Sequence, residues 1–194
     1  MITETQYLKA VNRINAIHNE DISSETTEGK EVKAELLYSE RMLSVLKLVA
    51  PDSSHELKLA ALCQHMSRWS IPRATFPMDK KGYYQWRAAI MEHQLEVTTR
   101  ALAESGIDEQ SIAVVKDALK NKADKSNENA SIIEDTACLV FIKWYLEPFA
   151  SQFDTTKAAD ILRKTAKKMS ERGLGLISQL DLSPSVSEIL KLIG

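Results

Sequence analysis

Apolar residues recur at spacings of three and four along almost the whole chain, and hardly anywhere at a spacing of two. That period builds an apolar stripe on an α-helix and leaves a β-strand without a consistent inner face. Start and stop signals bound each stripe. Thr3 with Gln6 makes a capping box for a first helix reaching about His18. The polar stretch 18–29 reads as a loop, followed by a second helix over roughly Lys30–Val49 that ends before Pro51. Ser53 with Glu56 opens a third helix to about Trp69, apolar almost all round as a buried central helix would be. Pro72 and Pro77 keep the next stretch out of a continuous helix. A long amphipathic helix spans Gly82–Ser105, with Gly106 as its stop. Asp108 caps a helix ending near Asn121, and 120–129 is a polar loop. Ser131 with Glu134 opens an apolar helix to about Leu146, which Pro148 ends; Asp154 begins another reaching Arg172. Pro184 starts a short last helix. The prediction is an all-α fold without β-sheet, one compact multi-helix domain over residues 1–194.

The length of 194 residues suits one domain, and 44% apolar with 27% charged residues excludes a mostly disordered chain. A formal charge of −2 argues against a general nucleic-acid-coating role, which favours a basic excess. Cys63 and Cys138 lie far apart inside apolar runs, the pattern of reduced thiols. The N-terminus lacks the apolar core of a secretory signal. The longest apolar stretch, Ala137–Leu146, is interrupted by Lys143 and is too short to span a bilayer. These features point to a cytoplasmic protein without a membrane partner.

The informative residues interrupt the apolar stripes. Leu57, Ala60, Ala61, Gln64, His65 and Arg68 share one face of the third helix. Trp86, Ile90, His93 and Val97 share a face of the long helix, and Asp135 lies on a stripe with Cys138, Leu139 and Ile142. Three helices thus present His65, His93 and Asp135 toward a common interior. Imidazole and carboxylate are a suitable ligand set for a first-row transition metal. The alternative is a pair of internally satisfied histidines, with Asp135 serving a helix N-terminus. Arg68, Arg73 and Arg87, interleaved with Trp69, Tyr83 and Trp86, make the densest cationic stretch. Guanidinium groups there suit phosphate or carboxylate. Lys164, Lys167, Lys168 and Arg172 read as a solvated helix face. The common phosphate-loop, dinucleotide, zinc-protease and esterase motifs are missing.

Two segments carry a resemblance to a known superfamily. ELLYSERMLSVLKLVAPDSSHELKLAALCQHMSRW resembles the helices that lead into the signature of the HD-domain metal-dependent phosphohydrolases. MEHQLEVTTRALAESGIDEQSIAVVKDAL with IIEDTACLVF resembles their later helices. The resemblance implies an HD-like core over about residues 31–149, with an N-terminal helix and C-terminal helices packed on it. It matches Asp135 to the final metal-binding Asp and His93 to a histidine of some members. Gln64 and His65 stand where the superfamily has its His–Asp pair, Glu40 lies near the first His position, and Lys122 near another. QHMSRWSIPR, GYYQWR, IIEDTACLVF and KTAKKMS also resemble a family of domains of unknown function, some of whose members are labelled glutamyl-tRNA synthetase-like. The chain lacks the nucleotide-binding pattern and length of a synthetase.

The resemblance implies a divalent metal, Mn, Fe, Co or Zn, held by His65, His93 and Asp135 with Glu40 as an extra ligand. Gln64, Arg68, Trp69, Arg73, Arg87 and Lys122 would then bind a phosphorylated small molecule or nucleotide. The competing expectation is a non-catalytic module without metal that binds an anionic ligand or a protein partner.

Overall fold

The structure, a computed structural model, describes residues 1–120, 126–152 and 155–192. Helix α1 (Glu4–His18) starts at Thr3 with the expected reciprocal capping box. A hairpin of β1 (Ser24–Thr27) and β2 (Lys30–Lys33) follows, paired antiparallel with Thr27 opposite Lys30. The expectation of no β-sheet is therefore wrong by one small sheet. Its turn residues Glu28 and Gly29 have φ of 50° and 75°, the left-handed pair that a two-residue hairpin turn requires. The strands are too short and polar for apolar alternation to reveal them, and the second helix starts after them.

That helix, α2 (Ala34–Val49), is tied to the preceding loop by buried Asp21, which accepts from the amides of Ser23 and Glu35. Helix α3 (His55–Leu62) is capped by Ser54 rather than Ser53 and is almost wholly buried. It ends well before Trp69. Cys63 closes it, and Ser67 adopts a left-handed φ of 53° ahead of a short 3-10 turn at Arg68–Ser70. Gln64, His65 and Arg68 therefore sit on a tight turn, not on a helix face.

Helix α4 (Lys80–Glu104) begins at the cap Asp79, whose carboxylate accepts from the Gly82 amide. Gly82 is required there: a Cβ would overlap the Pro77 carbonyl. Gly106, with φ of 80°, stops the chain after α4 as expected. Helix α5 (Glu109–Lys120) follows, with Asp108 accepting from the Ser111 amide. Helix α6 (Glu128–Val140) is capped by Asn127, not Ser131, and continues through a π-helical turn at Phe141–Tyr145 into α7 (Leu146–Ala150). Pro148 thus lies inside the last turn instead of ending the helix. The widened turn contains Trp144, whose carbonyl the proline ring would meet in a regular helix.

Helix α8 (Thr155–Ala166) stops short of Arg172, and the proposed start at Asp154 lies outside the described residues. A further turn of α9 (Glu171–Leu176) and α10 (Pro184–Lys191), with Pro184 at its first position, complete the chain. Helices α2, α3, α5 and α6 pack around one core in which Met42, Leu46, Leu59, Met66, Leu102, Ile133 and Leu139 are buried. Among the described residues, no helix is long and apolar enough to cross a membrane.

Candidate functional site

Because α3 ends at Leu62, the turn after it faces a cleft bounded by α2, α4, α6 and the segment following α8. A cavity of about 300 Å³ takes Tyr38 from α2, Gln64, His65 and Arg68 from the turn, and Trp86, Arg87 and Gln94 from α4. Glu134 and Cys138 of α6, Phe141 of the π turn and Lys168 close it. An adjoining cavity of about 490 Å³ shares Tyr38, His65, Arg68, Arg87, Phe141 and Lys168 and adds Glu25, Glu35 and Tyr145. The cations thus line the boundary between two connected spaces, whereas Gln64, Gln94 and Glu134 line only the first.

His65 is held on three sides. Its ring stacks on Tyr38 with centroids 3.9 Å apart. Arg68 Nη1 donates to Nε2 at 3.0 Å, which leaves the imidazole proton on Nδ1. Glu35 Oε2 lies 3.4 Å from Nδ1, an ion-pair distance outside hydrogen-bond geometry, so this buried oxygen has no hydrogen-bond partner among the described residues. Burial pushes the Glu35 carboxyl up to about 7, although the Arg68 and His18 charges pull it down.

The arginines differ in how much of their hydrogen-bonding capacity is used. Arg68 lies over the Trp86 ring, 5.2 Å from its centroid, and spends one nitrogen on His65. Arg87 is exposed, and its one hydrogen bond among the described residues is to the Tyr83 hydroxyl, at 3.4 Å. Among the described residues neither guanidinium forms an ion pair. Lys168 Nζ stands 3.7 Å from Glu134 Oε1, so one carboxylate accompanies three cations.

The remaining expected site residues are elsewhere. Arg73 donates to the carbonyls of Phe76, Pro77 and Asp79, which ties down the loop before α4 and leaves little for a ligand. Trp69 packs against the core and does not line the cavity; Trp86 does. Glu40 is exposed on α2. Lys122 lies outside the described residues. His93 Nε2 is 2.9 Å from Ser70 Oγ. That hydroxyl already donates to the Ser67 carbonyl, so His93 is the donor.

Asp135 is fully engaged by a helix start. Its Oδ1 accepts from the Ser170 amide at 2.8 Å and its Oδ2 from the Ser170 hydroxyl at 2.5 Å, while Ser170 Oγ caps α9 through the Gly173 amide. Gly173 permits this approach, since a Cβ there would overlap the carboxylate. The expected convergence of His65, His93 and Asp135 is therefore corrected: each serves a different partner. Among the described residues no three His, Cys, Asp or Glu side chains gather as a metal-holding group.

Sequence reasoning missed Glu35, Tyr38, Gln94 and Lys168 as cleft residues, and it gave Glu134 to a capping box that does not form. The i, i+3 pair Glu35–Tyr38 on α2 was a usable signal. Lys168 carried none, because its place depends on where α8 stops.

Fold and cleft define the class: a predominantly helical domain with a polar, cation-lined cleft beside its core. The chain belongs to a family of domains of unknown function, DUF4202, whose model matches residues 8–190. No curated protein and no solved structure matches it.

Proposed function

We propose that this chain is a binding module for a phosphorylated small molecule, taken in the cleft by Arg68, Arg87 and Lys168. The observation that carries this reading is the pair of guanidinium groups at one cavity wall without an ion-pair partner among the described residues. Two arginines and one lysine face Glu134 in the smaller cavity and Glu35 in the adjoining one, where Glu25 is paired with Arg41, and the positive charge left over suits a phosphoryl group. Guanidinium forks match phosphoryl oxygens in geometry as well as charge. Tyr38, Trp86 and Phe141 supply aromatic surface for the rest of the ligand. Titration calorimetry with inorganic phosphate tests the reading. Binding that weakens by about tenfold in Arg68→Ala and again in Arg87→Ala is expected, since each charged hydrogen bond contributes about 1.5 to 3 kcal/mol. Failure of phosphate to bind, or binding indifferent to both arginines, overturns it.

A metal-dependent phosphohydrolase of HD type is the second reading, favoured by His65 beside Glu35 in the same cleft. Imidazole nitrogen and carboxylate oxygen suit Mn, Fe, Co or Zn. The reading needs another ligand to move in, because Asp135 and His93 are spent on Ser170 and Ser70. Titration with each metal, followed by elemental analysis, decides it: stoichiometric metal lost in His65→Ala supports it, and no retention of any of the four rejects it. The helix order supports an HD-like ancestry under either reading. Cys63 and Cys138, both buried thiols, support a reducing, cytoplasmic setting.

A further inference from the structure

We infer that the ligand of this cleft carries a hydrogen-bond donor besides its phosphoryl group, and that Gln64 receives that donor. The inference rests on the phosphate reading above and specifies what else the molecule must be.

Gln64 is only 5% exposed, it lines the cavity, and its Oε1 is buried without a hydrogen-bond partner among the described residues. A buried amide oxygen in that state costs free energy that a donor from the ligand would return. The residue is otherwise fixed: its backbone carbonyl accepts from Gln94 Nε2 at 2.6 Å, which ties the turn to α4. Only the terminal torsion of the side chain is soft, so the amide can turn toward a donor while its stem stays in place.

The two ends of the cleft differ in chemistry. Arg68, Arg87 and Lys168 line both connected cavities, so a phosphoryl group bound there stands at their boundary. Of these two cavities, only the smaller is lined by Gln64 and Glu134, which bring acceptor oxygens, not cations. Glu134 is already met by Lys168 and by the Cys138 thiol, at 3.9 Å for the latter, and Gln94 spends its amide nitrogen on the Gln64 carbonyl, so on this wall Gln64 Oε1 is the acceptor that is both buried and unpartnered among the described residues. Ile90 and Met91 give the wall an apolar stretch along which a short carbon chain can lie. The ligand class is therefore a phosphate monoester whose alcohol portion bears a hydroxyl or amino group. A plain alkyl phosphate would satisfy the cations and leave Gln64 unpaired. A site built to hydrogen-bond a substrate group discriminates strongly against the analogue that lacks it.

The test uses the intact chain and three matched series of two to six carbons: n-alkyl phosphates, ω-hydroxyalkyl phosphates and ω-methoxyalkyl phosphates. The expected result is a chain length at which the hydroxyl compound binds about tenfold tighter than the alkyl one, with the methoxy compound, an acceptor only, no better than the alkyl. Gln64→Met should erase that preference. Equal affinities of the three series at every length overturn the inference while leaving the phosphate reading standing. So does a methoxy compound as tight as its hydroxyl counterpart, or a preference that survives in folded Gln64→Met. Should that variant not fold, the ligand series on the unaltered chain decides. Absence of binding by every phosphate, inorganic phosphate included, overturns the phosphate reading itself and the donor inference with it.

Discussion

Glu134 and Asp135 are neighbours on α6, both buried carboxylates, yet they serve two different regions. Asp135 faces the start of α9, where both of its oxygens accept hydrogen bonds from Ser170. Glu134 faces the cleft, where its contacts are a lysine at 3.7 Å and a weak thiol donor. Around Asp135 the polar capacity is consumed inside the protein. Around Glu134 it is left over: Gln64 Oε1 and Glu35 Oε2 have no hydrogen-bond partner, and Arg68 and Arg87 form no ion pair among the described residues. A buried polar group with its partners in place holds a fold together. A group of them left incomplete on a cavity wall marks where a ligand completes the set.

The comparison breaks most easily at Asp135. Asp135→Ala should cost about 3 kcal/mol, because it strips a buried amide and hydroxyl of their acceptor and removes a helix cap. Urea unfolding measures it, and inorganic phosphate affinity should not change. Loss of phosphate binding with unaltered stability would make Asp135 a site residue and collapse the contrast. Gly173→Ala attacks the same cap from the other side, by steric overlap with the carboxylate, and should cost about 2 kcal/mol.

The cleft responds to pH through Glu35, whose carboxyl is raised from 4.5 to about 7. A carboxyl that binds its proton more tightly when folded makes the folded state lose stability as pH rises between those two values, and the loss levels off above the higher one. Glu35→Gln removes that penalty. The difference between variant and parent should be near zero at about pH 4 and reach about 3 kcal/mol in favour of the variant at about pH 8. Subtracting the parent at each pH cancels titrations that do not depend on Glu35; buried His18, whose pKa is lowered mainly by desolvation and raised in part by the Glu35 charge, adds its own shift to the difference. A difference that stays flat across this range would mean that Glu35 is not buried as a proton-sensitive member of the cleft.

Arg73 and Arg68 give a finer contrast. Arg73→Ala should leave phosphate affinity unchanged while destabilising the loop before α4 by about 1 kcal/mol, the worth of its carbonyl contacts. The tenfold loss expected of Arg68→Ala is the opposite pattern. The smallest expected effect is at Lys168. Its half-exposed ammonium is screened by solvent, so Lys168→Ala should weaken phosphate only about threefold, and less at high salt. Equal effects of Lys168→Ala and Lys164→Ala would show that neither belongs to the cleft.

Several elements of this protein follow from local rules. The Thr3–Gln6 capping box, the stop at Gly106 and Pro184 at a helix start each depend on interactions within a few residues, and each forms where the local pattern places it. The burial of Leu57 and of Leu59–Leu62 on α3 follows from the apolar residues around most of that helix. The hairpin was invisible because Ser24–Thr27 and Lys30–Lys33 carry polar side chains on both faces. Its place is set by partners on α2 instead, such as the 2.8 Å ion pair between Glu25 and Arg41.

The candidate site divides along the same line. Gln64, His65, Arg68 and Arg87 could be picked out because polar residues within apolar or aromatic stretches stand out in any linear reading. Their common cavity depends on α3 ending at Leu62 and on a left-handed Ser67, neither of which the helical period reveals. His93 and Asp135 carried the same signal and turned out to be satisfied by Ser70 and Ser170, respectively 23 and 35 residues away. Sequence alone therefore determined the helical nature of the chain, several helix starts and the supply of polar residues near the core. Tertiary structure decided which of those residues are satisfied and which are not, because hydrogen bonds and ion pairs are made by proximity in space. Proximity between residues distant in the chain is set by how the helices pack, which the local pattern does not encode.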